Sequence, residues 1–108
     1  MLIFHYTDLD SYNAIAASPV WVFRASKPPG DHEFGAYFTA YAPNRPLYKL
    51  GIPAQKRTHV FCFTAADDLK PIRGGRGRYI LFSATDYHVP KARQVFSGLA
   101  SDYSEQAP

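Results

Sequence analysis

Two apolar segments of this chain carry polar side chains of the kind that bind small molecules. His5 and Thr7 lie in the segment LIFHYT, and Tyr37 and Thr39 lie in the segment GAYFT. Both segments are typical of buried strands, where a histidine must find hydrogen-bond partners. Two interpretations stay open: a core histidine satisfied by its neighbours, or a binding site formed where the two strands end.

Three other kinds of site are disfavoured by residue spacing. Cys62 lies in the apolar run VFCF without an adjacent base, which predicts a buried thiol and not a nucleophile. The glycines at residues 74–77 lack the Lys-Ser/Thr pair of a phosphate-binding P-loop. We expect no metal, because the histidines are far apart and none are three or four residues from another: His5, His32, His59 and His88.

Charge is distributed unevenly along the chain. Twelve Lys and Arg residues stand against nine Asp and Glu residues, a formal net charge of +3, and residues 45–96 hold ten of the bases and three of the acids. That half either presents a basic face to the phosphates of a dinucleotide or a nucleic acid, or carries scattered, solvated cations. The arginines considered for phosphate contacts are Arg24, Arg73, Arg76 and Arg78.

Length and composition favour one compact domain. The 108 residues are 46% hydrophobic and 16% aromatic, which provides a core and excludes a disordered chain or a coiled coil. One cysteine excludes an internal disulfide. No run approaches the roughly 18 apolar residues that span a bilayer, and the N-terminus has no basic flank or long apolar region. We therefore expect a soluble, cytoplasmic protein that does not bind membranes.

Hydrophobic periodicity predicts an α+β fold with mainly antiparallel sheets. A helix is expected over residues 8–17, ended by Pro19, and a short one over residues 46–50, closed by Gly51. Loops are expected at residues 27–31 and 70–78, a turn at residues 86–90, and a fraying polar tail from residue 97. The predicted strands cover residues 2–6, 20–25, 35–39, 58–64, 79–82 and 93–96.

Four segments together resemble a known family. They are FHYTD, the helical LDSYNAIAAS, PPGDHEFGAYFT and SATDYHVP. At this spacing they are similar to the HYD1-signature ADP-ribosyltransferases, the His-Tyr-Asp branch of the diphtheria-toxin and PARP-like superfamily, from Leu2 to Gly98. The resemblance implies one domain over residues 1–98, with two small sheets flanking an NAD cleft, and a polar tail over residues 99–108.

The resemblance also implies a role for each residue that matches a motif. His5 would bond a ribose hydroxyl, the backbone of Tyr6 would bond the carboxamide of nicotinamide, and Thr7 would bond the other ribose. Tyr37 would stack on the cationic nicotinamide ring, to which an aromatic face is attracted. Tyr48, eleven residues further on, matches the second stacking aromatic of PARP-like members. Arg24 is a candidate for the pyrophosphate.

Asp86 is the candidate catalytic acid. Arg78 occupies the position where the Glu-bearing branch has its acid, just before the strand YILF, and arginine can neither act as a base nor stabilise a cation. The His-Tyr-Asp branch carries its acid in the following turn, which Asp86 in SATDY matches. The alternative is a turn residue that accepts backbone N–H bonds. Asp67 and Asp68 are weaker candidates.

The function implied is an NAD+-consuming ADP-ribosyltransferase that needs no metal. Its catalytic residues would be His5, Tyr37 and Asp86, and its acceptor an unidentified protein or nucleic acid. Many family members are toxin or effector domains, which implies an immunity or inhibitor protein as a further partner. Two alternatives remain: an NAD+ glycohydrolase with the same site, and a non-catalytic basic module that binds single-stranded RNA.

Overall fold

The computed structural model describes residues 1–27, 33–72 and 80–104. All strand pairs in that part are antiparallel, and they form the sheets β1-β4-β8, β2-β7 and β3-β6-β5. The predicted α+β class with antiparallel sheets is confirmed. In chain order the elements are β1 (Leu2–Thr7), α1 (Leu9–Ala16), β2 (Trp21–Phe23), β3 (Ala36–Phe38), β4 (His59–Thr64), β5 (Lys70–Pro71), β6 (Leu81–Ser83), β7 (Tyr87–Val89) and β8 (Gln94–Leu99).

The helix α1 begins and ends where the sequence predicts. The Asp8 carboxylate accepts a hydrogen bond from the Ser11 N–H at 2.8 Å, which satisfies a donor that the first turn leaves open. Pro19 follows shortly after the last turn and cannot continue it. Tyr12 and Ile15 pack against the core, so that the helix lies on the sheet containing β4.

Four fully buried phenylalanines hold β2, β3 and β4 together. Neighbouring ring centroids lie 5.3–5.5 Å apart, mostly in edge-to-face pairs, the geometry that the ring quadrupole favours. The rings belong to Phe23, Phe38, Phe61 and Phe63. This aromatic core fixes the positions of the strands whose ends carry the candidate site residues.

β4 is buried on both faces. Phe61 and Phe63 belong to the aromatic core, whereas Val60 and Cys62 pack with Phe4, Tyr6 and Leu50 in a second cluster. Burial on both sides accounts for the uninterrupted apolar sequence HVFCF. The prediction that Cys62 is a buried thiol is confirmed.

The C-terminal half differs from the sequence prediction in three places. Residues 86–90 are not a turn, because Tyr87–Val89 forms β7 and pairs with β2. Lys70–Pro71 forms β5, so the first two residues of the predicted loop over residues 70–78 are in a strand. β8 continues to Leu99, and Ala100 and Tyr103 pack in the second cluster, so this stretch is not a frayed tail. In β7 the alternating burial of Tyr87 and Val89 outweighs the local turn residues.

Some predictions concern residues outside the described ranges. They are the loop at residues 28–31, the glycines at 74–77, Tyr79, the end of the tail at 105–108, and three arginines, Arg73, Arg76 and Arg78. Within the described ranges, no helix is long and apolar enough to cross a membrane.

β8 is an edge strand that contains one irregularity. It pairs with β4 in regular register from Leu99 back to Phe96, and then Phe63 faces Gln94. Val95 is therefore an extra residue on β8, a β-bulge, and it is 53% exposed.

Gly35 lies where β2 and β3 come together. Its backbone exchanges two hydrogen bonds with Ser26, at 2.9 and 3.0 Å, which join the end of β2 to the start of β3. A Cβ atom on Gly35 would lie 2.6 Å from the carbonyl oxygen of Ser83 in β6. Because that oxygen is backbone and cannot rotate away, a side chain here forces the strands apart.

We expect Gly35→Ala to lower the free energy of unfolding by about 1–3 kcal/mol, the usual cost of overpacking. Urea denaturation measures the change. Ala84→Ser, which adds a hydroxyl at an exposed position of the adjacent bend, is the control and should stay within about 0.5 kcal/mol of the parent. Equal stability of the two variants would contradict the close packing around Gly35.

Candidate functional site

β1 and β3 run antiparallel but are joined at one position. The Phe4 N–H donates to the Thr39 carbonyl at 2.7 Å, and the Thr39 N–H donates to the Phe4 carbonyl at 3.0 Å. Continuing this register by two residues sets Tyr6 opposite Tyr37, yet no further bridge joins these strands in the part that the structure describes. A gap thus opens between β1 and β3 at those two tyrosines.

The backbone of Tyr6 faces this gap. Successive residues of a strand direct their N–H and C=O groups to opposite edges. The groups of Phe4 bond Thr39, whereas the Met1 carbonyl, on the other edge, accepts from Ala65 at the end of β4. Tyr6 shares the edge of Phe4, and no backbone hydrogen bond from another described segment reaches it there. An adjacent donor and acceptor therefore line the gap.

The His5 ring spans from β1 to β3. It donates a hydrogen bond to the Tyr37 backbone and packs against Phe23, with ring centroids 4.7 Å apart. Burial lowers the pKa of His5 to about 4, and the bond to Tyr37 offsets this only in part. The imidazole is neutral at pH 7, so that one nitrogen donates to Tyr37 and the other is an acceptor.

A cleft of about 480 Å³ opens beside His5. Three of the predicted site residues, His5, Thr7 and Arg24, lie on its walls. A volume of this size is typical of small-molecule sites. The described lining comes from β1 with His5 and Thr7, from α1 and the following turn with Ser11, Ala14, Ile15 and Ser18, and from β2 and its flanks with Val20, Val22, Phe23 and Arg24.

The helical wall of the cleft was not predicted from the sequence. Ser11, Ala14, Ile15 and Ser18 are three, four and seven residues apart, so they share one face of the helix and its C-terminal turn. Three of the four are small, which keeps the helix from filling the space above β1. The sequence does contain a signal for this wall, because small residues recur at helical spacing just after the HYT segment.

Tyr37 borders the gap through its backbone. Its ring stacks on Phe82, with centroids 5.5 Å apart and planes 14° from parallel, and its hydroxyl donates to the Glu33 carbonyl. The described lining of the cleft does not include Tyr37. The HYT and GAYFT segments therefore meet at Tyr37, while its side chain is held by β6 and by the residues before β3.

Asp86 and Arg24 come together although 62 positions separate them. β2 and β7 pair with Phe23 opposite Tyr87, and extending this register by one residue sets Arg24 opposite Asp86. Oδ1 of Asp86 accepts a hydrogen bond from the Ala25 N–H at 2.8 Å. The carboxylate is therefore adjacent to a residue that lines the cleft, and one of its oxygens fixes the backbone there.

Two further tyrosines lie away from the cleft walls. The Tyr6 side chain is in the second cluster, where its hydroxyl donates to the Tyr41 carbonyl at 2.6 Å. Burial raises the pKa of Tyr6 well above its usual value. Tyr48 is 70% exposed in the 3₁₀ turn Leu47–Leu50 and is not part of the described lining.

Cys62 is unsuited to nucleophilic chemistry. Burial raises the pKa of its thiol to about 12, so the reactive thiolate does not form near neutral pH. Among residues 1–27, 33–72 and 80–104, no three His, Cys, Asp or Glu side chains lie together in a way that could hold a metal ion.

Comparisons with protein families, with curated proteins and with solved structures find no match to this chain.

The lowered pKa of His5 predicts a loss of stability in acid. Between pH 6.5 and 4 the unfolded chain binds a proton at His5 and the folded chain does not, so the free energy of unfolding falls as the pH decreases. The loss is at most about 3.5 kcal/mol, since each pKa unit corresponds to about 1.4 kcal/mol. Urea denaturation at a series of pH values measures it.

His5→Gln should flatten this pH dependence, because the variant has no titratable ring at that position. His88→Gln, at an exposed position of β7, removes one imidazole in the same way and is the matched control. An equal pH dependence in the parent and in His5→Gln would contradict the buried neutral imidazole.

Proposed function

We propose that this protein is an NAD+-consuming ADP-ribosyltransferase, which cleaves the bond between nicotinamide and ribose and transfers ADP-ribose to a macromolecule. The proposal is supported by the gap between β1 and β3 at the Tyr6 backbone, and by the 480 Å³ cleft whose lining includes the two neighbours of Tyr6 in the strand, His5 and Thr7. Two of the four segments that resemble the HYD1-signature family, FHYTD and the one that ends in GAYFT, meet at this gap.

The Tyr6 backbone is complementary to the carboxamide of nicotinamide. The carboxamide has one carbonyl acceptor and an NH2 donor, and an open strand edge presents one N–H and one C=O in fixed positions. Both partners are neutral and need no proton transfer, so this contact would hold the ring equally well before and after the bond to ribose breaks. It therefore orients the leaving group.

His5 and Thr7 are suited to the ribose. A neutral imidazole whose one nitrogen is used by Tyr37 offers its other nitrogen as an acceptor for a ribose hydroxyl. Thr7 adds a hydroxyl on the same wall, and Arg24 adds a cation that suits the pyrophosphate.

The proposed reaction breaks the C1′–N bond of NAD+. The bonding electrons leave with the ring, which becomes neutral nicotinamide, and positive charge develops on the ribose. An acceptor nucleophile then bonds C1′ and loses its proton. A carboxylate close to the ribose stabilises the developing charge, which is the role we propose for Asp86. With water as the acceptor the same site is an NAD+ glycohydrolase.

Nicotinamide release from NAD+ tests the proposal. We expect release by the purified protein, and a decrease of about a hundredfold or more in kcat/KM for His5→Gln, because the ribose contact is lost. His88→Gln should retain the parent rate. Intact NAD+ after incubation with micromolar protein contradicts the proposed function. Release without ADP-ribose on any acceptor identifies the glycohydrolase.

Asp86 can be tested separately for structure and for catalysis. Asp86→Asn keeps an oxygen that accepts from the Ala25 N–H and removes the negative charge, whereas Asp86→Ala removes both. We expect Asp86→Asn to retain most of the stability and to lose about 10²-fold or more of the nicotinamide release. Full activity of Asp86→Asn would show that the carboxylate acts only on the backbone of Ala25.

A further inference from the structure

One short segment of the chain that the structure describes throughout is strongly basic. Residues 45–57, named here the basic segment, contain four cations and no acid: Arg45, Lys49, Lys56 and Arg57. No Asp or Glu occurs anywhere from residue 34 to residue 66. The other eight cations of the chain are outnumbered by its nine acids. The basic segment is therefore one of two acid-free cationic stretches, the other being residues 70–78, which also hold four cations.

The basic segment is fixed to the core by its apolar residues. Leu50 is 2% exposed in the second cluster, and Leu47 and Ile52 pack against that cluster. Gly51 ends the first turn with φ 70°, a conformation that favours glycine. Arg57 donates to the Ile52 carbonyl at 2.5 Å and ties the end of the segment back to its middle. The exposed side chains thus extend from a rigid base.

Tyr48 lies between two of the exposed cations in the sequence. It is 70% exposed, which is unusual for a tyrosine in a packed 3₁₀ turn. On one side the Arg45 guanidinium lies over the Tyr41 ring, 5.8 Å from its centroid, and on the other side Lys49 is exposed. Lys56 is partly compensated, because its charge acts on the Asp8 carboxyl. Arg45 and Lys49 therefore flank Tyr48 in the chain as exposed cations.

We propose that the basic segment binds single-stranded nucleic acid, with Tyr48 as a stacking surface for a base and with Arg45 and Lys49 as phosphate contacts. Cations beside an exposed aromatic ring are the combination that such binding uses. A lipid surface fits less well, because Leu47, Leu50 and Ile52 pack against the second cluster and Tyr48 is the one large hydrophobic side chain of the segment that is exposed. The inference goes beyond the proposed NAD+ chemistry and does not depend on it.

Fluorescence anisotropy with a labelled single-stranded oligouridylate, in the absence of NAD+, tests this binding. We expect the logarithm of the association constant to fall linearly with the logarithm of the salt concentration. Tyr48→Ala should weaken binding by about five- to a hundredfold, the range for loss of one stacked base, and Tyr48→Phe should bind like the parent. These exposed substitutions leave the core intact, which circular dichroism verifies.

The phosphate contacts are tested by a matched pair of double variants. Arg45→Gln with Lys49→Gln should reduce the magnitude of the salt slope by about 1.4, since each phosphate on a single strand contributes about 0.7. Lys70→Gln with Lys91→Gln removes the same charge from exposed positions elsewhere and should leave most of the affinity. Equal losses from the two pairs would overturn the proposal.

Three other results would also overturn it. The first is no binding at low salt, and the second is equal affinity of Tyr48→Ala and the parent, which would leave only general attraction between charges. The third is tighter binding to vesicles of anionic lipid than to the oligonucleotide. None of these measurements involves nicotinamide release, so each proposal can fail while the other stands.

Discussion

One pair of backbone hydrogen bonds, between Phe4 and Thr39, governs the geometry of the candidate site. It brings two strands of different sheets into register and then lets them separate. It is the one backbone bridge between the HYT and GAYFT segments in the described residues, and the bond from the His5 ring to the Tyr37 backbone adds a second link. If β1 and β3 were paired along their whole length, the N–H and C=O groups of Tyr6 would be hydrogen-bonded to Tyr37 and could not bind a ligand. A single bridge therefore brings the two strands together and still leaves a gap between them.

The gap stays open because its walls are rigid. β1 is held by β4 along its other edge, and β3 is held by β6 and by the bridge at Gly35. Behind them the aromatic core resists movement, since its rings interlock at close-packed distances. A ligand that enters therefore meets donors and acceptors already in position, which reduces the entropy lost on binding.

The parts of the fold set by local sequence were predicted, and those set by tertiary contacts were not. Asp8 caps the start of α1 and Pro19 follows its end, and Gly51 ends the 3₁₀ turn Leu47–Leu50. β7 was missed because Asp86 and Pro90 suggest a turn, whereas the pairing of Tyr87 with Phe23 decides the conformation. The direction of the Tyr48 side chain depends on how Leu50 anchors its turn, which no spacing rule gives. For the same reason the cleft residues of α1 became evident only from the structure.

The bulge at Val95 affects how the protein behaves in concentrated solution. β8 has six residues, carries no charge and no proline, and lies at the edge of its sheet, which are the properties of a strand that templates fibril growth. The extra residue twists the strand and leaves only Phe96–Leu99 in straight register with β4. Four residues in regular register are too few to pair stably with the same strand of another molecule. The bulge thus protects the protein against polymerisation through the exposed edge of β8.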